Sequence, residues 1–376
     1  MRDYKLVIVV LNITLIAFLF LSGESCTKKK FKTIKIGAVL PLTGPGALWG
    51  NNTRKGAELA IEEINKSGGI NGTKLELIVE DSKGVAKEGV NVVRKLINID
   101  RVNAILDDAV SSVALAIVPI ITQNKIPTIS TGSTNPKLSG ASPFFFRLWN
   151  SDIEEAVISA KFIAQKLKFS KGIILYIRND YGDGLQKAFE KEFAKYEGEI
   201  LAKDSFEQGA SHFREQLLKL KSLNPQFLYL IGYPTEIPRI LVEMKQLNFD
   251  IQIITTGAVE DKSILEQAKK AAEGIIYPYP KPVQTKITKF FRKKYKEKYG
   301  EIPGSPAAEA YDAIMIFAKA FKEVGTDSFR VRDFISSIRY EGASGFIVFD
   351  KNGDVHKPME MKVIKDNKFI IYHKDN

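Results

Sequence analysis

ILDDAVSSVALAIVPIITQNKIPTISTGSTNP, residues 105–136, decides the fold. Two short apolar runs, 104–106 and 126–130, have the length and β-branching of buried parallel strands, and residues 113–123 between them read as a helix. Strand, helix and strand in that order form a βαβ unit. Its right-handed crossover brings the carboxyl ends of both strands to one sheet edge, where ligands of open α/β sheets bind. Ser111 and Ser112 follow the first strand, and Ser133 and Thr134 follow the second. Two loops rich in hydroxyl and backbone N–H groups therefore face one crevice suited to a small anionic or amide-like group. Ser and Thr are equally the ordinary residues of helix caps and turns, so both readings stand on the local pattern.

Outward from this unit, strand and helix signals alternate. Residues 34–40 read as a buried strand, and the Pro- and Gly-rich segment 41–46 as a loop. A helix carries Ala57, Ala60, Ile61 and Ile64 at helical spacing and is stopped by Gly68 and Gly69. A strand at 74–80 and a helix at 85–99 lead into the opening unit, giving a doubly wound sheet. A second α/β series follows, with helices at 152–167, 182–196, 213–221 and 236–247 and strands at 172–177, 199–203, 226–231 and 251–255. It is long enough to be its own domain. Residues 274–282 are too proline-rich to continue a helix. Helices are expected at 284–299, 307–324 and 329–338, then a β-rich tail at 345–350 and 359–372 around a turn at 351–354. No short fixed period recurs, which excludes solenoids and propellers.

The chain has 376 residues, 44% of them hydrophobic and 10% aromatic, enough to build cores for two or three domains. Arg2 and Lys5 precede an apolar run at 6–21, after which small residues lead to Cys26. This is the layout of a secretory signal peptide; the run is shorter than the roughly 20 residues that a spanning helix needs. Cys26 is the sole cysteine, so no disulfide, zinc cluster or redox pair forms within the chain. Its place resembles a bacterial lipoprotein signal, although Gly23, Glu24 and Ser25 depart from the usual motif before the lipidated cysteine. The expected layout is a leader at 1–25, a tether at 26–32, and an extracytoplasmic protein anchored through Cys26.

The formal net charge is +11, and the leader does not cause it, because Arg2 and Lys5 are balanced by Asp3 and Glu24. Much of the positive charge is lysine on helical faces such as KITKFFRKKYKEK, residues 286–298, where Ile287, Phe290, Phe291 and Tyr295 form a separate apolar stripe. Such a face is a solvated surface, and without an accompanying motif it implies no nucleic-acid partner.

Catalytic signatures are missing. GPGALWG at 44–50 has neither the lysine of a phosphate loop nor dinucleotide spacing, and GASG at 342–345 misses the frame of a nucleophile elbow. His212, His356 and His373 are scattered in polar contexts without metal-ligand spacing. No enzyme activity, cofactor or metal is expected. Acid pairs occur at Asp107-Asp108 and Glu154-Glu155. Asp107 and Asp108 close a buried strand, where they either pair with a cationic ligand group or stabilise the helix that follows.

Several stretches together resemble the branched-chain amino acid (leucine/isoleucine/valine) type of substrate-binding protein that serves ABC importers. They are IKIGAVLPLTGPGALWG (34–50), KGAELAIEEINKSGGINGTKLELIVEDS (55–82), the Ser111-Ser112 loop, STGSTNPKL (130–138), NDYGDGL (179–185) and EGASGFIVFDKNGD (341–354), in the family's order over nearly the full length. The resemblance implies two doubly wound α/β lobes joined by three crossover strands, expected near 144–147, 274–277 and 345–349. Lobe 1 would hold 33–145 and 278–344, and lobe 2 would hold 146–277 and 345–376. It also implies a monomer that binds a small amino acid, amide or carboxylate and hands it to permease and ATPase subunits. The same fold also serves as a sensing receptor with a separate signalling partner.

Carried over by matching motif, Ser111, Gly132, Ser133 and Thr134 grip the ligand's polar end, with Trp49 as a cleft wall. Tyr181 and Tyr233 close from the other lobe. The family's amino-acid binders pair the ligand's ammonium with a glutamate at the position occupied here by Gly257. Glu260 or Asp261 in the same loop, or Asp108 from the first lobe, is expected to substitute, since a buried unpaired ammonium costs several kcal/mol.

Overall fold

The structure, a computed structural model, describes residues 33–107 and 109–373. The expected leader, tether, lipidation site Cys26 and the acid Asp108 lie outside the described residues.

The opening strand pattern builds a parallel sheet of five strands in the order β2-β1-β3-β4-β5: β1 (Ile34–Leu40), β2 (Leu75–Asp81), β3 (Ala104–Asp107), β4 (Thr128–Ser130) and β5 (Phe145–Arg147). Register runs from Ile36 opposite Ala104 on one side and Leu77 on the other. Helices α1 (Ala47–Lys66), α2 (Ala86–Lys95) and α3 (Ser111–Gln123) connect them. The double glycine ends the first of these as expected, because Gly68 and Gly69 both adopt positive φ. A side chain at Gly69 would also meet the Thr73 carbonyl at 2.3 Å.

The second series forms a sheet of seven strands in the order β14-β13-β10-β9-β8-β6-β7. Its parallel part comprises β6 (Lys171–Ile177), β7 (Glu199–Phe206), β8 (Phe227–Ile231), β9 (Gln252–Ile254) and β10 (Ile276–Pro280). The connecting helices are α4 (Asp152–Phe162), α5 (Asp180–Ala194), α6 (Arg214–Lys221), α7 (Ile237–Gln246) and α8 (Lys262–Ala268). After β10 the chain returns to the first sheet through α9 (Lys286–Tyr299), α10 (Ser305–Val324) and α11 (Ser328–Ser337), whose buried faces pack with α1. A hairpin, β11 (Arg339–Glu341) and β12 (Phe346–Val348), follows, and antiparallel β13 (Met359–Lys365) and β14 (Lys368–Ile371) then extend the second sheet.

The apolar clusters make two lobes of this order. Helices cover both faces of the first sheet, with Ile36, Ala57 and Phe317 on one side and Val93, Ile105 and Ile117 on the other. A separate cluster that includes Ile174, Phe189, Leu228 and Ile240 holds the second sheet.

The crossings fall elsewhere than the expected segments. Residues 144–147 contain β5, the last strand of the first sheet, and 274–277 run into β10, a strand of the second, so the chain crosses after each of them. Residues 345–349 are no crossing: Ile347 and Phe349 pack with Ile36 and Phe146, and β12 is satisfied by β11. An apolar run reads alike in either lobe, and its pairing partner decides. The third crossing lies between Val355, which still packs with the first lobe, and Met359.

The three crossings are laced together. Asn150 donates from Nδ2 to the Lys357 carbonyl at 2.7 Å and accepts the Lys357 N–H at 2.8 Å. The Lys281 N–H donates to the Pro358 carbonyl at 2.8 Å.

Candidate ligand-binding site

β3 and β4 end side by side, as their register of Asp107 opposite Ser130 requires. The loops that follow carry Ala109, Thr131, Gly132 and Thr134 to one wall of a cavity of ≈ 100 Å³. The start of α3 lies next to this wall, and a helix N-terminus favours negative charge. Trp49, from α1, adds an aromatic edge. Across from it, the second lobe presents Trp149, Tyr181, Tyr233, Gly257 and Glu260.

Arg147 fixes the first wall from behind. This fully buried guanidinium pairs with Asp354 at 2.7 and 3.0 Å and donates to the carbonyls of Ser133 and Asn135 at 3.3 and 3.1 Å. Charge-assisted bonds from this guanidinium hold two backbone carbonyls of the loop, and the bidentate pair with Asp354 fixes the guanidinium itself.

The aromatic walls interlock. Trp49 meets Tyr233 edge-on at 5.0 Å, Tyr233 stacks on Tyr181 at 5.7 Å, and Trp149 meets Tyr279 at 5.5 Å. Hydrogen bonds set two of these rings: the Tyr181 hydroxyl donates to Thr256 Oγ1 at 3.0 Å, and Asn179 Nδ2 donates to the Tyr233 hydroxyl at 3.1 Å. Asn179 also caps α5, which explains why NDYG holds Tyr181 where it does.

Of the residues expected from sequence, Trp49, Gly132, Thr134, Tyr181, Tyr233, Gly257 and Glu260 come together around this one cavity. Ser111 and Ser133 do not line it. Ser111 Oγ accepts the Asn135 N–H at 3.2 Å, and Ser133 Oγ donates to Asp107 at 3.4 Å. Both hydroxyls shape the loop. Ser112 instead reaches the other lobe, accepting the Asp180 N–H at 3.3 Å.

Glu260, expected as an ammonium partner, is already engaged: it accepts the Tyr277 hydroxyl at 2.7 Å and pairs with Lys362. Sequence reasoning passed over Glu155 as one half of a common acid pair. It lines the cavity and is buried, one helical turn from the buried Asp152. Burial pushes the Asp152 carboxyl up to about 7, against the pull of the Thr134 hydroxyl and the Arg147 guanidinium. Burial, reinforced by the charge of Asp152, pushes Glu155 well above the usual carboxylate range, against the Gly257 N–H beside it. A signal was available: Asp152, Glu155, Ala156, Ser159 and Ala160 share the buried stripe of α4, and acids are rare on such a stripe. Among the described residues, no group of three or more His, Cys, Asp or Glu could hold a metal ion.

Two α/β lobes with strand-end loops that line a small aromatic-walled cavity have the architecture of the two-lobed periplasmic binding proteins. Residues 33–368 match the model of the periplasmic binding protein family, and the chain belongs to that family, in its branched-chain amino acid type. It is 28% identical over 366 residues to the leucine-, isoleucine-, valine-, threonine- and alanine-binding protein of Pseudomonas aeruginosa, covering 96% of this chain and 95% of that one. Among solved structures, the leucine-binding protein LivK of Thermotoga maritima superposes with a TM-score of 0.84 at 27% identity, covering 91% of this chain and 98% of the other. The branched-chain amino acid transporter substrate-binding protein LivJ of Streptococcus pneumoniae, in complex with isoleucine, gives 0.81 at 28% identity, covering 90% and 98%. These relatives are solute-binding proteins and not enzymes.

Proposed function

We propose that this protein is an extracytoplasmic receptor that captures a small amino acid or a related carboxylate or amide between its lobes and delivers it to an ABC permease. The observation that carries this reading is the single cavity that gathers Gly132 and Thr134 from one lobe and Trp149, Tyr181 and Tyr233 from the other side. Hydroxyls, loop N–H groups and the α3 N-terminus suit a carboxylate or amide end, while the rings suit an apolar body. The relatives named for leucine, isoleucine and valine support a ligand of that size. Lipidation at Cys26 would keep the receptor at the membrane beside its permease.

Native mass spectrometry of protein purified without refolding tests the reading. A retained small solute that also raises Tm on re-addition is the expected result. Failure of amino acids, amides and aromatic acids alike to raise the Tm of ligand-free protein would overturn it. Co-purification with a sensor kinase, rather than with permease and ATPase subunits, would overturn the transport half.

A further inference from the structure

The four acids that line the cavity are not equivalent. Glu260 holds Lys362, and Glu309 holds Lys357 Nζ at 3.0 Å. Asp261 caps α8 by accepting the Ser263 N–H at 2.7 Å and is reached by solvent. Glu155 is 5% exposed, and its Oε1 has no hydrogen-bond partner.

The groups that face Glu155 supply no positive charge. They are Asp152 on its own helix, Tyr181 from α5, Tyr229 from β8 and the Gly257 N–H. Arg147 acts on Asp152 and is committed to Asp354 and the site loop. An orphaned carboxylate oxygen under an aromatic lid is costly unless something brings it a donor. Position 257 does not share the task. Gly257 has no side chain to offer an acid, and a Cβ there would lie close to Tyr279, at 3.3 Å.

We propose that Glu155 is the anchor for a protonated amine of the ligand, which narrows the ligand class to zwitterionic amino acids. The ammonium donates to Glu155 Oε1 from the α4 side, and the carboxylate lies against the 131–134 loop. The negative charge for the amine thus comes from a helix, not from the loop that carries Gly257. This inference rests on the solute-receptor reading and deepens it.

The test uses ligand-free protein and two sets of probes: the proteinogenic L-amino acids, and carboxylates without an amine, namely 4-methylpentanoate and benzoate. Melting shifts and calorimetric titration are expected to show binding by amino acids only. In Glu155→Gln the tightest of them should weaken roughly 100-fold, because one member of a buried ion pair is gone. Wild-type affinity should rise as pH climbs through the raised titration of Glu155, and the rise should be clearly smaller in the Gln variant, where only Asp152 still titrates, a difference that a merely structural Glu155 would not produce. Binding of the amine-free carboxylates without the amino acids would overturn the amine assignment and leave the receptor reading standing. Equal affinity of wild type and Glu155→Gln for an amino acid would overturn it as well. Binding by neither set would bring down both.

Discussion

Replacing Asp152 by Asn should stabilise the ligand-free protein at neutral and alkaline pH and do little in acid. Asp152 is 1% exposed, and its carboxyl is held at about 7 against an ordinary value of 3.8. Because the folded-state value is raised, the favourable contribution is complete below about pH 4 and is lost as pH climbs through 7. At about 1.4 kcal/mol per unit, the cost above pH 8 is on the order of 4 kcal/mol. Asn keeps the size and the hydrogen-bonding capacity while removing the charge, and it relieves Glu155 of a like neighbour. With about 2–4 °C per kcal/mol for larger domains, Tm should rise by roughly 8–16 °C at alkaline pH. Calorimetric melting of wild type and variant across the pH range, after removal of bound solute, measures this. If the two curves stay parallel down to acid pH, or if the variant melts lower at alkaline pH, the buried-charge reasoning is refuted.

Other perturbations probe the rest of the site. Trp49→Ala removes the ring that meets Tyr233 edge-on and should weaken ligand binding by about 1–2 kcal/mol in calorimetric titration; unchanged affinity would remove Trp49 from the wall. Thr134→Val takes a hydroxyl from the carboxylate side and should cost about 1 kcal/mol of affinity while leaving the ligand-free Tm within a few degrees. Arg147→Met should destabilise the fold by about 3–5 kcal/mol in urea titrations, because Asp354 and the carbonyls of Ser133 and Asn135 lose their buried partner. A loss under about 1 kcal/mol would show that the loop holds itself.

The βαβ unit and the Gly68-Gly69 stop were legible because each is a local decision of backbone geometry, whereas the helix expected from 182 begins at Asp180, behind the Asn179 cap. Trp49, Thr134, Tyr181 and Tyr233 line one cavity, which the proposed function takes as the ligand site. Ser111 and Ser133 were harder, since a hydroxyl that caps a turn and one that faces a ligand occupy the same kind of sequence. Only the neighbouring Asn135 N–H and Asp107 carboxylate decide between them. The hairpin around residues 339–348 was missed as a hairpin because GFIVFD has the apolar content of a strand in either lobe. Glu155 escaped for a different reason: it was weighed as half of an acid pair, when its place on the stripe of Ala156 and Ala160 carried the information.

The lacing among the crossings has a mechanical consequence. Three independent connections would let the lobes twist, slide and open separately. With Asn150 bonded in both directions to Lys357, and Lys281 to Pro358, neighbouring strands bend together as one leaf spring. Any opening of the lobes would therefore load the connecting segments together rather than one at a time.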